Sequence, residues 1–522
     1  MRGSARPPVL LIALDAAEPR LIERWTDDGT LPNLRRLRAS GAYGRLASSA
    51  DWLAGSPWPT FYTGTTPGEH GLYHSLQWRA DRMAPIRPSP DWLPLRPFWR
   101  DLGGRGCRVV AVDLPMTYPP EPFDGVEISG WATHDLLAPP ASHPATLMDW
   151  VRREIGPSPI TEEVYGPQRP ASLLALKNEL VGATRQVAVL GETLLRRERW
   201  DLFAIGFGAT HRGGHKLWDA SGALGRVDPD EAAALATALR EVYAACDAAV
   251  GRLVEAAGDR AVVLVSSLHG MGPNTSRVEV LPAMLARILS GRAPSDDAPA
   301  RVGGLKRLRG MVPIEWRNAV KSRLPVALQD RLTAFWRLGG TEWARTPAFS
   351  AIADLQGYVR INLWGREAGG IVAPADAERL CGAIQEGLET FVDEDTGEPI
   401  VEEIARADLL FPDAGRRDAL PDLMVRWSGS PAARHRAITS PRYGTIPWPT
   451  PGISPDGRSG NHRAEGFLLA AGPDIGSGSA IEGGHILDLA PTICALLGVP
   501  VPAHMTGRRL KGVEPGGARS GS

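Results

Sequence analysis

Three short apolar runs, Val9 to Leu14 (VLLIAL), Leu202 to Phe207 (LFAIGF) and Ala261 to Ser266 (AVVLVS), constrain this chain more than any other feature. They are dominated by Val, Ile, Leu, Phe and Ala and show no apolar–polar alternation. That is the pattern of a strand covered on both faces, as in a parallel sheet. Helical patterns lie between them: apolar residues recur at 173, 176, 180, 187, 190 and 194, and Asp230 to Ala256 reads as another long helix closed by Gly258-Asp259. Helix and strand in this alternation predict an α/β fold, a mostly parallel central sheet with helices on both faces. The ends of parallel strands share one crevice, so the polar residues just past each strand are the first candidates for chemistry.

Other signals complete the frame. A helix is expected around Pro19 to Trp25, and a second from Leu31-Pro32 to about Ala39, stopped at Gly41. Ser56-Pro57 reads as an N-cap followed by proline at the first helical position of a helix running to Tyr62. Arg108 to Val112, Tyr358 to Leu363, Leu423 to Trp427 and Gly466 to Ala471 read as further strands, and Leu487 to Leu497 as a closing helix. Between 274 and 345 the chain turns basic and irregular, with Arg301, Lys306, Arg307, Arg309, Arg317, Lys321, Arg323 and Arg331 among Trp316, Phe335 and Trp336. The expected organisation is a first core part (1–273), a basic insertion or lid (274–345), a second core part (346–511) and a Gly/Ser-rich tail (512–522).

Composition excludes several classes of function. A net charge of -1 over 522 residues offers no global attraction to nucleic acid or to a membrane surface. No nucleic-acid-binding module is recognised, and no apolar stretch approaches the ~20 residues needed to cross a bilayer. Asp15, Glu18 and Arg20 break the first apolar run too early for a signal peptide, so it is read as a strand. Cys107, Cys246, Cys381 and Cys494 are widely spaced and form no CxxC pair, which points to a reducing, cytoplasmic setting without a disulfide framework.

The chemistry-bearing residues are Asp15 in VLLIALDAAEP, His211 and His215 in GFGATHRGGH, His269 in VSSLHGMG and His462 in SGNHRAEG. Spacing i, i+4 places His211 and His215 on one face of a helical turn, where both imidazoles can reach one ion. HxxxH alone is a weak pattern; it gains weight from two further Gly-flanked histidines and a strand-terminal aspartate. The plain reading of Asp15 is a cap for the helix that follows. His70, His485 and His504 read as packing or turn residues, while His134-Asp135 is a loop pair able to offer a substitute ligand.

These blocks, with LIALDAAEPRLIERW, LPNLRRLRASGA, WPTFYTGTTPGEHG, YVRINLWGREAGGIV and HILDLAPTICALLGVPVPAHMTGRRL in order, resemble the type I phosphodiesterase and nucleotide pyrophosphatase branch of the alkaline phosphatase superfamily. The resemblance runs from about residue 8 to residue 510 and leaves out the basic insertion and the tails. It implies a hydrolase of phosphodiesters or nucleotide phosphoanhydrides using zinc or another divalent metal, one ion or two, with a hydroxyl nucleophile and a covalent phospho-enzyme. The substrate would be a small phosphate or sulfate ester. A same-fold phosphatase or sulfatase, and a weakly catalytic member that binds an anionic ligand or a protein, are the alternatives.

Carried over by position, Asp15 corresponds to a ligand of the nucleophile-side metal, His215 and His462 to ligands of the other, and His269 to the histidine of an Asp-His-Gly block. Three departures stand out. His211 replaces an aspartate, which leaves a three-histidine set with His215 and His462. Leu268 replaces the aspartate before His269. Ala54 falls where the family carries its hydroxyl, so the nucleophile is assigned to Ser56, with Thr60 as the alternative.

Overall fold

The computed structural model describes residues 6–92, 96–133, 136–160, 166–225, 227–291, 324–473 and 475–513. Its centre is a ten-stranded sheet. Strands Val262–Ser267, Val9–Leu14, Leu202–Phe207, Val109–Val112 and Gly125–Ser129 lie side by side in that order, all parallel. Gly466–Ala471 joins antiparallel beside Val262–Ser267, and Ala42–Ala47 pairs antiparallel beyond it. The unalternating apolar runs are explained by what they touch. Leu10, Ile12 and Leu14 enter one core, whereas Val9, Leu11 and Ala13 enter a second on the opposite face. Both faces of the strand are therefore dry, and neither can carry polar residues.

The first core is covered by Pro19–Asp27, Pro32–Ser40 and the long helices Pro170–Arg197 and Pro229–Ala257, and the second by Pro57–Thr63 and Leu489–Leu497. Helix Pro229–Ala257 opens with a capping box between Asp228 and Glu231. Leu31 precedes helix Pro32–Ser40 and has no side-chain oxygen to offer; the buried Asp247 supplies it from across the core, accepting from the N–H groups of Asn33 and Leu34 at 3.1 and 2.8 Å. The cap on helix Pro19–Asp27 is likewise Glu18, whose carboxylate accepts from Arg20 N–H, and not Asp15.

A third core, formed by Val280, Leu281, Ile361, Leu388, Val425 and their neighbours, is separate from the main sheet. It holds a four-stranded antiparallel sheet (Ala348–Ser350, Gly357–Ile361, Leu423–Trp427, Val401–Arg406) under helices Leu281–Ser290 and Pro374–Glu389. Tyr358 to Leu363 and Leu423 to Trp427 thus contribute strands here, whereas Gly466–Ala471 returns to the central sheet, as do the two-residue strands Ser479–Ala480 and Gly484–His485. A fourth cluster, including Leu53, Tyr73, Tyr358 and Met424, joins this unit to the loops beside the strand ends. Arg301 to Arg323, Trp316, His134 and Asp135 lie outside the described residues, as does 514–522. Among the described residues no helix is long and apolar enough to cross a membrane.

Candidate metal centre and cleft

Three adjacent parallel strands deliver the predicted residues. Asp15 directly follows Val9–Leu14, His211 and His215 stand on helix Ala209–Lys216 just past Leu202–Phe207, and His269 lies two residues beyond Val262–Ser267. His462 arrives on Gly460–Arg463, an antiparallel partner of Gly270–Pro273 in which His462 sits opposite Met271. Two glycines let this strand approach the helix. A Cβ at Gly460 would stand 2.1 Å from Gly214 O, and one at Gly214 would stand 2.6 Å from the Met271 side chain.

His211, His215 and His462 form a nearly regular triangle, with ring centroids 4.8, 4.9 and 4.9 Å apart. His211 Nε2 lies 3.0 Å from His215 Nε2 and 2.8 Å from His462 Nε2. The outer nitrogens decide what this means. His211 Nδ1 faces Asp15 Oδ2 at 2.9 Å and His215 Nδ1 faces Gly460 O at 3.0 Å, so both carry their proton on Nδ1 and turn bare Nε2 lone pairs toward each other. Two lone pairs at this distance repel unless a cation lies between them. His462 Nδ1 is buried without a hydrogen-bond partner. Burial, reinforced by Arg458 and the neighbouring imidazoles at His215 and by His269 and His211 at His462, holds both rings well below the usual histidine range. Neutral imidazoles are the state that binds metal. The residues present therefore fit a divalent metal.

Asp15 is fixed at several points. Its Oδ1 accepts from Trp58 Nε1 at 2.9 Å, its backbone N–H donates to Phe207 O at 3.0 Å, and its carbonyl accepts from Thr210 Oγ1 at 2.6 Å. The next residue, Ala16, is buried with φ 55°, a left-handed conformation that is uncommon for alanine. His269 is placed beside the cluster, its ring 4.5 Å from His462 and its Nε2 3.9 Å from Asp15 Oδ1. Leu268 is buried in the second apolar core.

Asp15, His211, His269 and His462 line a cleft together with Trp58, Ala54, Gly55, His74, Ser75, Met116 and Asp354. Ser56 and Thr60 are not on its wall. Ser56 occupies the N-cap position of helix Pro57–Thr63 but makes no side-chain cap bond; its Oγ lies 2.7 Å from both Leu53 O and Ser49 Oγ. Thr60 Oγ1 lies 3.1 Å from Ser49 Oγ and 3.0 Å from His70 Nε2. Both hydroxyls belong to one hydrogen-bond chain through Ser49.

Two residues on the wall were not singled out from the sequence. Asp354 pairs with His74 Nε2 and Arg458 Nη1, each at 3.2 Å. His74 Nδ1 accepts the N–H of Leu76 at 2.9 Å, so its proton sits on Nε2, the nitrogen beside Asp354. Burial pushes the Asp354 carboxyl up, but Arg458 and His74 outweigh it and hold it well below the usual carboxylate range. Asp354 lies in a loop far in sequence from every strand of the main sheet, and nothing in the local sequence marks it.

The parallel sheet and its two helical layers define an alkaline phosphatase-like architecture. The chain belongs to the type I phosphodiesterase/nucleotide pyrophosphatase family, whose model matches residues 9–426. Among solved structures it is similar to phosphonoacetate hydrolase from Sinorhizobium meliloti 1021, in complexes with phosphonoformate and with phosphonoacetate. Each has 13% identity and a TM-score of 0.51, over 95% of this chain and 96% of that one. Murine ectonucleotide pyrophosphatase/phosphodiesterase 5 aligns at 11% identity with a TM-score of 0.49, over 95% of this chain and 96% of that one. No curated protein sequence matches.

Proposed function

We propose that this protein is a metal-dependent hydrolase of phosphodiesters or nucleotide-type phosphoanhydrides, with His211, His215 and His462 as its metal ligands. The observation that carries this reading is the pair of inward-facing lone pairs on His211 and His215, 3.0 Å apart, which a bound cation would reconcile. Zinc is the ion this donor set suits, and when bound it would polarise a phosphoryl oxygen as a Lewis acid. Ala54 and Gly55 line the cleft where Ser56 does not, which supports water as the attacking group in place of a covalent step through Ser56. In that reaction the water oxygen bonds to phosphorus, the bond to the leaving oxygen breaks, and the leaving oxygen ends with the proton. Ser75 on the cleft wall can donate to a phosphoryl oxygen, and the Asp354 carboxylate can accept from a donor on the substrate or from water. The four cysteines are buried and unpaired, which supports a reducing compartment.

The test couples metal analysis of protein purified without chelator to hydrolysis of chromogenic phosphate mono- and diesters and sulfate esters. Near-stoichiometric metal is expected, with diester turnover lost in His215→Ala. Metal below a tenth of an equivalent, together with turnover indifferent to His215→Ala, would sink the reading; preference for a monoester or a sulfate would move it to the same-fold alternative.

A further inference from the structure

We propose that this chain holds a single ion on its three imidazoles and uses Asp15 to orient His211, not to ligate a second ion. The inference rests on the metal-dependent reading above and concerns what the carboxylate does within it.

Both oxygens of Asp15 already meet donors. Trp58 Nε1 reaches Oδ1 and the protonated Nδ1 of His211 reaches Oδ2, each at 2.9 Å. The second contact sets the tautomer of His211, raises the basicity of its Nε2 and aims that nitrogen at His215 and His462. A carboxylate behind a ligating imidazole does this work in metal sites generally. The pairing also satisfies the buried charge of Asp15 with two N–H donors, so no second cation is needed to hold it there.

A second ion would have to displace Trp58 from Oδ1 and then find further ligands. His269 Nε2 is 3.9 Å from that oxygen, and position 268 presents a leucine that is 2% exposed and packed in the core. Among the described residues Asp15 and His269 are thus two protein ligands, short of the three that a catalytic zinc takes. Among the described residues, His211, His215 and His462 are the group of three whose ligand atoms all lie within 4.8 Å of one another, and Asp15 and His269 are not part of it.

The experiment is a titration of metal-stripped, full-length protein with zinc chloride by calorimetry, and with cobalt chloride followed by visible absorption. Wild type should take up one equivalent, and the cobalt form should show the absorption of a four-coordinate site. Asp15→Asn should keep one equivalent at about 10- to 100-fold weaker affinity, the usual cost of losing a carboxylate behind a ligating histidine. Should Asp15→Asn fail to fold by circular dichroism, Trp58→Phe serves instead: one equivalent, several-fold weaker, because Asp15 loses one of its anchors. Two tight equivalents in wild type, with Asp15→Asn removing one and leaving the other unchanged, would overturn the proposal. So would a single equivalent whose affinity neither variant alters. Less than a tenth of an equivalent in wild type would instead overturn the metal-dependent reading on which the proposal stands.

Discussion

His70 is wholly buried beneath the helix that carries Trp58, and its protonation should set how the protein responds to acid. Its Nδ1 accepts Leu72 N–H at 3.0 Å and its Nε2 meets Thr60 Oγ1 at 3.0 Å, so the folded chain holds a neutral ring with both nitrogens engaged. Burial, with Arg416 adding to it, pushes its pKa down to about 3 from an ordinary 6.5. A base depressed in this way costs nothing above pH 6.5, where folded and unfolded chains are both neutral. Below that, the unfolded chain binds a proton that the folded chain refuses, and stability falls by up to ~1.4 kcal/mol per pH unit until the folded pKa is reached. Between pH 7 and pH 5 the loss works out at about 2 kcal/mol from this one residue. His70→Asn keeps an acceptor near Leu72 N–H and removes the titration. Urea unfolding of both proteins at pH 5, 6, 7 and 8, compared as differences, cancels the other histidines. The variant should be less stable at every pH but should lose about 2 kcal/mol less on going from pH 7 to pH 5. Parallel curves for the two proteins would refute the argument and would mean that His70 accepts its proton in the folded state.

Two further outcomes test the placement of the site. Ser56→Ala should lower stability by about 1 kcal/mol through the lost bonds to Leu53 and Ser49, and should reduce turnover by less than about tenfold; a loss of three orders of magnitude in single-turnover assays would restore Ser56 as the nucleophile. Gly460→Ala should drive a methyl group to 2.1 Å from Gly214 O and part the helix of His215 from the strand of His462. Zinc affinity should then fall more than about tenfold with unchanged circular dichroism, whereas unaltered affinity would show that this approach is not what closes the triangle.

Much of the fold was legible because the strand signal is local. Val9–Leu14 and Leu202–Phe207 are apolar throughout since each faces two cores, and the ends of these runs located Asp15 and His211 directly. What was not legible depends on distance in the chain. The cap on helix Pro32–Ser40 comes from Asp247, more than 200 residues away, and a second carboxylate on the cleft wall, besides Asp15, comes from Asp354 in a loop. Ser56 shows what a local motif leaves open. Ser-Pro before an aromatic run signals a helix start, and the helix does start there, but the hydroxyl turns back to Leu53 O at 2.7 Å. Position in the chain located the serine; only the rotamer decides which side of the helix its oxygen serves.

The same distinction bears on His211. Read as sequence, histidine in place of aspartate keeps a ligand and removes a negative charge. In the structure it also adds a donor, because Nδ1–H reaches Asp15 while Nε2 joins the other two imidazoles. An aspartate at 211 would turn a second carboxylate toward Asp15, and two carboxylates at hydrogen-bond distance cannot both stay ionised without a cation between them. Histidine removes that requirement. On the single-ion proposal Leu268 then costs the site little, since Asp15 is already satisfied by Trp58 and His211. The two departures are thus physically coupled, and reverting them together should do what neither does alone. The double variant His211→Asp with Leu268→Asp should bind a second equivalent of zinc, while Leu268→Asp by itself should only place a carboxylate in an apolar core and destabilise the fold by a few kcal/mol. A second equivalent in Leu268→Asp alone, measured by the same calorimetric titration, would break the coupling.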